Sequence, residues 1–566
     1  MRNVRFTIPE RILPTGTDLR DYLFLGITLF SLLVACAWLA IKRDYWHDEL
    51  FSWYLLTDPS FSHMLQAFGD KINNTPSLYF VMGWSWAQVF GGSELSLRLF
   101  SSLGVCASLV LVWLTLRRYY DFWPVALGVL TVFCTADLIL EQNAEARMYG
   151  LYLATAALTL VTYDRICQTL GPPSLGLLIT NGMVHAALIH THLHGAFYSG
   201  AILVAVVVYD KVGGNLRWRV YASIVLSWLT IILYIPAFLV QADAGRPRSW
   251  MPEPLWRDLM WLFSDYRAYY HPVALIILLL LAAIGGIVLK NRTDAAMPPA
   301  RERAQDLHLL LFSMAMMAVP VGVWIISKFS RPIFFDRYLI PTALGITWLL
   351  TVGTRHLLPF ISDMSALWRR PFKLRFDGAA ALNLAVLIFC LVLVLNPILV
   401  AKNTEGTALG AEWKVPSGYE DLPLVFEASG HYHRHLFYSK NRERYYYVLD
   451  HEAASSPVSG QFGLQDYKHF DALRRQYPDY FRGQIIESDD FLDRFDRFLV
   501  LDYPRYDRPC PPMATGGLID VPRFEELHCP QWLETRILNN PDYEVTELLM
   551  ESWRSLLLVE RVKNLK

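Results

Sequence analysis

The sequence predicts an α-helical, polytopic membrane protein of about eleven spanning helices, followed by a soluble α/β or α+β domain at the C-terminus. Three observations predict it. Hydrophobic residues make up 54% of the 566-residue chain and charged residues only 18%, and the charges cluster so that long stretches hold none, which makes lipid the solvent for most of the chain. Those apolar stretches recur at spanning length. Beyond Ala401 the pattern changes to short apolar runs between polar ones, as a water-soluble fold requires.

The first charge-free run, Leu23 to Ile41, is long enough at 1.5 Å per residue to cross a hydrocarbon core of about 30 Å. Its length and its Cys-Ala-Trp-Leu-Ala end do not suit a cleaved leader, so it reads as a retained first helix. Further runs centre on Leu95 to Leu116, Phe122 to Leu140, Gly150 to Tyr163, Ser174 to Ile189 and Gly195 to Tyr209. Val220 to Val240, Pro272 to Leu289, Leu307 to Ser327, Tyr338 to Gly353 and Ala379 to Val400 complete the set. Ser77 to Phe90 is apolar and rich in Trp and Tyr but short, which suggests an interfacial or re-entrant helix. The charge balance agrees. If this segment does not cross, the loops on the N-terminal side carry roughly twice as many Lys and Arg as the opposite loops; if it crosses, the excess moves away from the basic N-terminus with Arg2, Arg5, Arg11 and Arg20.

The N-terminus is therefore expected in the cytoplasm, with residues 1–400 as the transmembrane domain and residues 401–566 as a soluble extracytoplasmic domain. The outer face then receives a long first loop, residues 42–94, and shorter loops at 141–149, 191–194, 241–271 and 328–336. In the first loop Asp58-Pro59 reads as a helix cap with Pro in the first turn, and Phe61, Met64, Leu65 and Phe68 repeat as on an amphipathic helix lying on the membrane. In the tail Leu422 to Phe426, Tyr445 to Leu449, Phe498 to Leu501 and Leu556 to Val559 read as strands, and Phe470 to Gln476 as part of a helix. Cys36, Cys106, Cys134, Cys167 and Cys390 fall in apolar runs and suit helix packing; Cys510 and Cys529 suit a disulfide if the tail is outside the cytoplasm. A net charge of −1 excludes a general basic surface for nucleic acid.

Four groups of residues carry chemistry, and all four fall on the outer face. Tyr45-Trp46-His47-Asp48-Glu49 sets an acid pair at the membrane boundary; a general base and a solvated pair at a helix end both fit it. Glu141, Glu145, Arg147 and Tyr149 crowd one short loop, with Glu145 and Tyr149 one helical turn apart. His190, His192 and His194 occupy another, as interfacial hydrogen-bonding imidazoles or as metal ligands. Lys328, Arg331, Asp336, Arg337 and Tyr338 form the fourth group. Cations on the face that the positive-inside rule disfavours suit an anionic lipid phosphate, which guanidinium matches with two hydrogen bonds; plain headgroup contact is the alternative.

In order along the chain stand Trp46-His47-Asp48-Glu49, Asn74-Thr75-Pro76-Ser77-Leu78-Tyr79, Gly92-Ser93-Glu94-Leu95-Ser96-Leu97-Arg98-Leu99-Phe100-Ser101, Glu145-Ala146-Arg147-Met148-Tyr149-Gly150-Leu151 and Asp336-Arg337-Tyr338-Leu339-Ile340-Pro341. This series resembles the C-type integral-membrane glycosyltransferases, in the branch of protein O-mannosyltransferases, the lipid A aminoarabinose transferase and lipopolysaccharide-core galacturonosyltransferases. Where many relatives carry His-Pro-Pro or Lys-Pro-Pro, this chain has Asn74-Thr75-Pro76-Ser77. The resemblance implies an inverting transfer of a sugar from a polyprenyl (undecaprenyl) phosphate to an envelope glycan, lipid or protein. It places that reaction on the extracytoplasmic face of a bacterial inner membrane. It matches Asp48 to the family's catalytic carboxylate, with Glu49 assisting. Arg98, Arg147, Arg331 and Arg337 become candidates for the lipid phosphate, with Tyr149 and Tyr338 beside them. Glu145, His192 and His194 stay open as substrate contacts or as ligands of a divalent metal ion. A transporter or flippase of a lipid-linked glycan is the competing expectation, and it calls for ionisable residues deep within helices.

Overall fold

The computed structural model describes residues 19–169, 171–246, 251, 253–265, 300–368, 378–406, 413–455, 463–502, 532–551 and 554–562. The expected span Pro272 to Leu289 and the cysteines Cys510 and Cys529 lie outside the described residues. The chain divides into two compact units. One comprises Met1–Ile41, Thr75–Tyr234 and Glu253–Glu405, the other Lys42–Asn74, Ile235–Pro252 and Gly406–Lys566.

The first unit is helical. Each of the other ten expected spans falls on a helix or an interrupted pair of helices. Among the described residues five helices are long and apolar enough to cross a membrane: Leu19–Lys42, Glu94–Leu116, Gly195–Gly213, Asp306–Phe329 and Val386–Asn403. Trp218–Leu233 with Ile235–Ala244 makes a sixth if it is one span. Two expected spans are broken. The run from Phe122 forms Phe122–Phe133 and Asp137–Asn143, and the Asn396 amide donates to the Cys134 carbonyl at 2.8 Å where the first of these ends. A backbone group released inside the apolar body thus keeps a partner. The run from Val220 breaks after the 3₁₀ turn Thr230–Leu233, where Pro236 in the next helix brings no N–H to continue the ladder. The segment after Ser77 forms Leu78–Phe90, a helix of 13 residues.

Small residues bring these helices into contact, as in lipid, where close packing replaces the hydrophobic drive. Gly104 and Gly150 face each other across Glu94–Leu116 and Tyr149–Gln168: a Cβ on Gly150 would stand 1.9 Å from the Ser101 carbonyl oxygen. Gly150→Ala is therefore expected to destabilise the unit by roughly 1–3 kcal/mol or more, whereas Gly176, with nothing within 4 Å of an added Cβ, should accept Ala. The fraction that stays monodisperse after heating in detergent measures both; equal survival of the two variants would contradict the contact.

Loops gather at the two ends of the unit. At one end Arg117 pairs with Asp21 at 2.8 Å, Arg118 with Asp164 at 2.8 Å, His308 with Asp164 at 3.0 Å and Arg355 with Asp306 at 3.5 Å. At the other end lie the segments around Glu145, His192 and Arg337.

The second unit is built on a six-stranded sheet in the order β3-β2-β1-β4-β6-β5. Its strands are β1 (Leu424–Phe426), β2 (Tyr445–Leu449), β3 (Ile485–Glu487), β4 (Arg497–Asp502), β5 (Tyr543–Glu551) and β6 (Arg554–Arg561). The first four run parallel, with Val425 opposite both Tyr446 and Val500, and β6 pairs antiparallel with β4 and β5. Parallel neighbours need crossover helices, and Ser429–Tyr438, Gly463–Gln476 and Ser488–Arg494 occupy those connections. Strand order reverses between β1 and β4, the switch point of such a sheet. On one face Phe491, Phe498, Val500, Trp532 and Val559 form a core.

Residues 42–74 fold with this sheet. They form helices His47–Leu56 and Phe61–Phe68. The second is capped by Ser60, whose hydroxyl accepts from the His63 N–H, and not by Asp58 as expected. Asp58 instead joins His63, at 2.5 Å, and the Tyr477 hydroxyl, at 3.0 Å. Met64 and Phe68 are buried while Phe61 and Leu65 are exposed, so the expected apolar stripe is divided between core and surface. Arg475 meets Asp70 at 3.0 Å, and Lys71 meets Asp243 at 2.6 Å.

Candidate active site

The first unit gathers three of the four predicted groups at one end. The sequence dictates this, because Tyr149 begins one long helix, His192 and His194 fill the two-helix turn between Leu175–Thr191 and Gly195–Gly213, and Asp336–Leu339 is a 3₁₀ turn entering the helix from Thr342. The Arg147 loop is held tightly. The Ser101 hydroxyl donates to the Arg147 carbonyl at 2.6 Å, and the Arg147 N–H donates to the Glu145 carbonyl at 2.7 Å. Arg337 lies 3.6 Å from the Glu145 carboxylate, and its guanidinium stands 5.6 Å above the Tyr149 ring and 5.0 Å from that of Phe335. A guanidinium fixed by a carboxylate and aromatic faces keeps donors in a set direction.

His192 fills the middle of the cluster, with its ring 4.7 Å from Tyr338, 5.1 Å from Tyr152, 5.1 Å from His194 and 6.1 Å from Tyr149. Its Nδ1 accepts from the His194 N–H, and His194 Nε2 bonds to the Ile333 carbonyl at 2.9 Å. Burial holds His192 well below the usual imidazole range, and His194, Arg147 and Arg337 push the same way. Two arginines and a neutral imidazole thus converge in one place. Burial lowers His194 as well, to about 4, against its hydrogen bond to Ile333.

These shifts fix a sign. An unfolded chain takes up a proton on each imidazole near pH 6.5, so below that value it binds more protons than the folded one. The stabilisation is complete above pH 6.5 and is lost as pH falls toward 4. His194→Gln should flatten the fall of the thermal midpoint over that range; an unchanged slope would contradict a buried neutral His194.

Arg98 is buried on its helix, and Arg331 is exposed ahead of the Asp336 turn. Among the described residues no three His, Cys, Asp or Glu side chains come together as an ion would need. Glu145 meets Arg337, and His194 is turned to a carbonyl.

The fourth group lies in the second unit, at the first turn of the helix His47–Leu56. Glu49 is buried and its carboxylate accepts from the Trp46 N–H at 3.1 Å, closing the turn. Asp48 is only partly buried. Two acids in the first turn lie where the helix dipole favours negative charge. The His47 Nδ1 is 3.2 Å from Nδ1 of His433, on the helix Ser429–Tyr438. The Tyr45 N–H donates to the Tyr438 hydroxyl at 2.7 Å, and the ring of Tyr54 stacks on that of His433 at 5.5 Å. Burial holds His433 well below its usual range, with His47 and Arg434 adding to the effect. Sequence reasoning missed His433, Ser429 and Asp466 beside this turn. The one available signal was a short apolar run followed by Ser429-Gly430 before a polar helix, the pattern of a strand leading into a helix N-terminus.

No protein-family model matches the chain, and no curated protein matches it by sequence. Solved structures do match in fold. ArnT of Cupriavidus metallidurans, bound to undecaprenyl phosphate, superposes with a TM-score of 0.52 at 14% identity, covering 96% of this chain and 98% of that one. Its apo state gives a TM-score of 0.51 at 14% identity over 95% and 97%. The oligosaccharyltransferase AglB of Archaeoglobus fulgidus gives 0.42 at 10% identity, over 85% of this chain and 69% of that one. The chain shares the fold of ArnT over nearly its full length.

Proposed function

We propose that this chain is an inverting glycosyltransferase that moves one sugar from a polyprenyl phosphate, undecaprenyl phosphate in a bacterial inner membrane, to an envelope acceptor on the extracytoplasmic face. The observation that carries the reading is the convergence of Arg147 and Arg337 on His192, beside Tyr149 and Tyr338. It is supported by a fold like that of a protein holding undecaprenyl phosphate.

In the reaction, an acceptor hydroxyl oxygen bonds to the anomeric carbon while the bond from that carbon to the phosphate oxygen breaks. The electron pair leaves with the lipid phosphate, and the hydroxyl proton passes to the Asp48 carboxylate. Arg147 and Arg337 stabilise the charge on the departing oxygen, Glu145 holds Arg337, and the neutral His192 adds no third cation. Tyr149 and Tyr338 present aromatic faces to the sugar or the lipid head. Glu49 keeps the Asp48 turn in place. Arg98 supports the fold from within its helix, and Arg331 attracts the anionic head from the surface.

The test is transfer of radiolabelled sugar from a panel of synthetic polyprenyl-phosphate sugars into a crude envelope extract by the purified protein. One donor should be active and should name the sugar. Failure with every donor would overturn the reading.

A further inference from the structure

Three segments of the second unit meet at the first turn of the helix His47–Leu56. From the helix Ser429–Tyr438, a Cβ on Gly430 would stand 3.8 Å from the His47 Cβ, and the His433 ring lies 5.2 Å from that of His47. From the helix Gly463–Gln476, the Phe470 ring stacks at 5.9 Å on His47 and lies 5.6 Å from Phe51, while His469 lies 5.4 Å from Phe51. Positions 466, 469 and 470 share one helical face. The face that brings His469 and Phe470 to this turn therefore brings Asp466 as well, close enough for its charge and that of Asp48 to act on each other. The Ser429 hydroxyl donates to Asp466 Oδ2 at 2.5 Å, tying the two C-terminal helices together at this point.

We propose that Asp466 forms a carboxyl pair with Asp48, as a positioning residue that leaves Asp48 the ionised, proton-accepting member and fixes its orientation. The proposal rests on the reading of Asp48 as the base. Asp466 is a residue of the C-terminal sheet's helices, so that part of the chain shapes the reaction.

Burial raises the Asp466 carboxyl to about 7; the hydrogen bond from Ser429 opposes this, and the charge on Asp48 adds to it. Below that midpoint the pair carries one negative charge in place of two, the state that neighbouring acids prefer where water is scarce. Among the described residues the phenols of Tyr447, on β2, and Tyr467 also act in this neighbourhood, both raised by burial, with Glu427 acting on both phenols and Asp450 on Tyr467. His47, His433 and His469 lie at the same turn. A neutral Asp466 can direct its own proton toward Asp48, since Ser429 already serves the other oxygen. Ionisation of Asp466 removes that donor and sets two like charges side by side.

The experiment has two arms on the full-length protein. Infrared difference spectra across pH read the protonated carboxyl directly. A carboxylic acid titrating near 7 should be present in the wild type and missing from Asp466→Asn. It should titrate lower in Asp48→Asn, which removes the repelling charge, and higher in Ser429→Ala, which removes the bond that favours the anion. A midpoint that Asp48→Asn leaves in place overturns the pair whatever the activity. In the second arm, transfer by the wild type should decline as pH rises through the same midpoint. Asp466→Asn, which can still receive the Ser429 bond, should lose that decline, holding above the midpoint the rate it shows below it. Asp466→Ala should lower kcat roughly tenfold to a hundredfold with KM unchanged, as a misplaced catalytic group does. A decline that survives in Asp466→Asn overturns the positioning role. A coupled midpoint in a protein that transfers from no donor keeps the pair and overturns the glycosyltransferase reading.

Discussion

Asp48→Asn is expected to lower kcat for sugar transfer by roughly 10²–10⁴-fold, the range general-base removal gives, with little change in the affinity for donor. Asn has the shape of Asp and lacks the basicity, so the proton of the attacking hydroxyl loses its destination. The fold should survive. The first turn is closed by Glu49 on the Trp46 N–H, and His47 remains against His433 and Phe470. One lost charge at a helix N-terminus costs about 0.3–1 kcal/mol. Glu49→Gln is the instructive contrast. Its amide oxygen can still accept from Trp46, so the variant should melt slightly lower and transfer within about tenfold of the wild type. Equal transfer by wild type and Asp48→Asn would remove Asp48 from the reaction.

Arg337→Ala should have the second largest effect, a loss of roughly 10²–10³-fold in kcat/KM for the lipid donor. Three features mark Arg337. Its guanidinium is held by Glu145 at 3.6 Å, it lies over the rings of Tyr149 and Phe335, and its charge reaches His192 together with that of Arg147. Removing it leaves Glu145 without this counter-charge and the departing phosphate with one cation fewer. Arg337→Lys keeps the charge and loses the planar fork, so it should recover only part of the activity. Arg331→Ala, at an exposed position, should change the rate mainly at low ionic strength. Rates measured with each variant over a donor titration decide this. Comparable losses at 331 and 337 would contradict a specific phosphate contact at Arg337.

The apolar runs were readable because a span needs length and the absence of charge, and both are local properties. Loop grouping followed from alternation: if the chain crosses at each run, residues 141–149, 191–194 and 328–336 must share an end, and Glu145, His192 and the adjoining Arg337 do share one in the first unit. The breaks were harder to see. Nothing near Cys134 marks the interruption after Phe133; its partner Asn396 lies 262 residues along the chain. The segment 42–74 reads locally as an amphipathic surface helix, yet Asp58 is bound by Tyr477 and Asp70 by Arg475, more than 400 residues away. Single polar contacts of that span leave no periodic trace. Asp466 is hidden for the same reason. In sequence it is one acid among several in a polar helix, and only the packing of Phe470 against His47 brings that helix to the turn that holds Asp48.

Among the described residues of the first unit the buried acids lie at or near helix ends and weigh against the transporter reading, although His185 is buried inside the helix Leu175–Thr191. Asp164 and His308, though buried, pair with each other and with Arg118 at a helix end, and Asp210 pairs with Arg217 at 2.6 Å at another. The measurement that separates the two readings most directly uses proteoliposomes loaded with a polyprenyl-phosphate sugar carrying one label on the sugar and another on the lipid, with envelope acceptor supplied outside. The account predicts that free polyprenyl phosphate appears in step with sugar attached to the acceptor, one for one, and that both stop in Asp48→Asn. Movement of the intact doubly labelled lipid across the bilayer, with no release of polyprenyl phosphate, would contradict it.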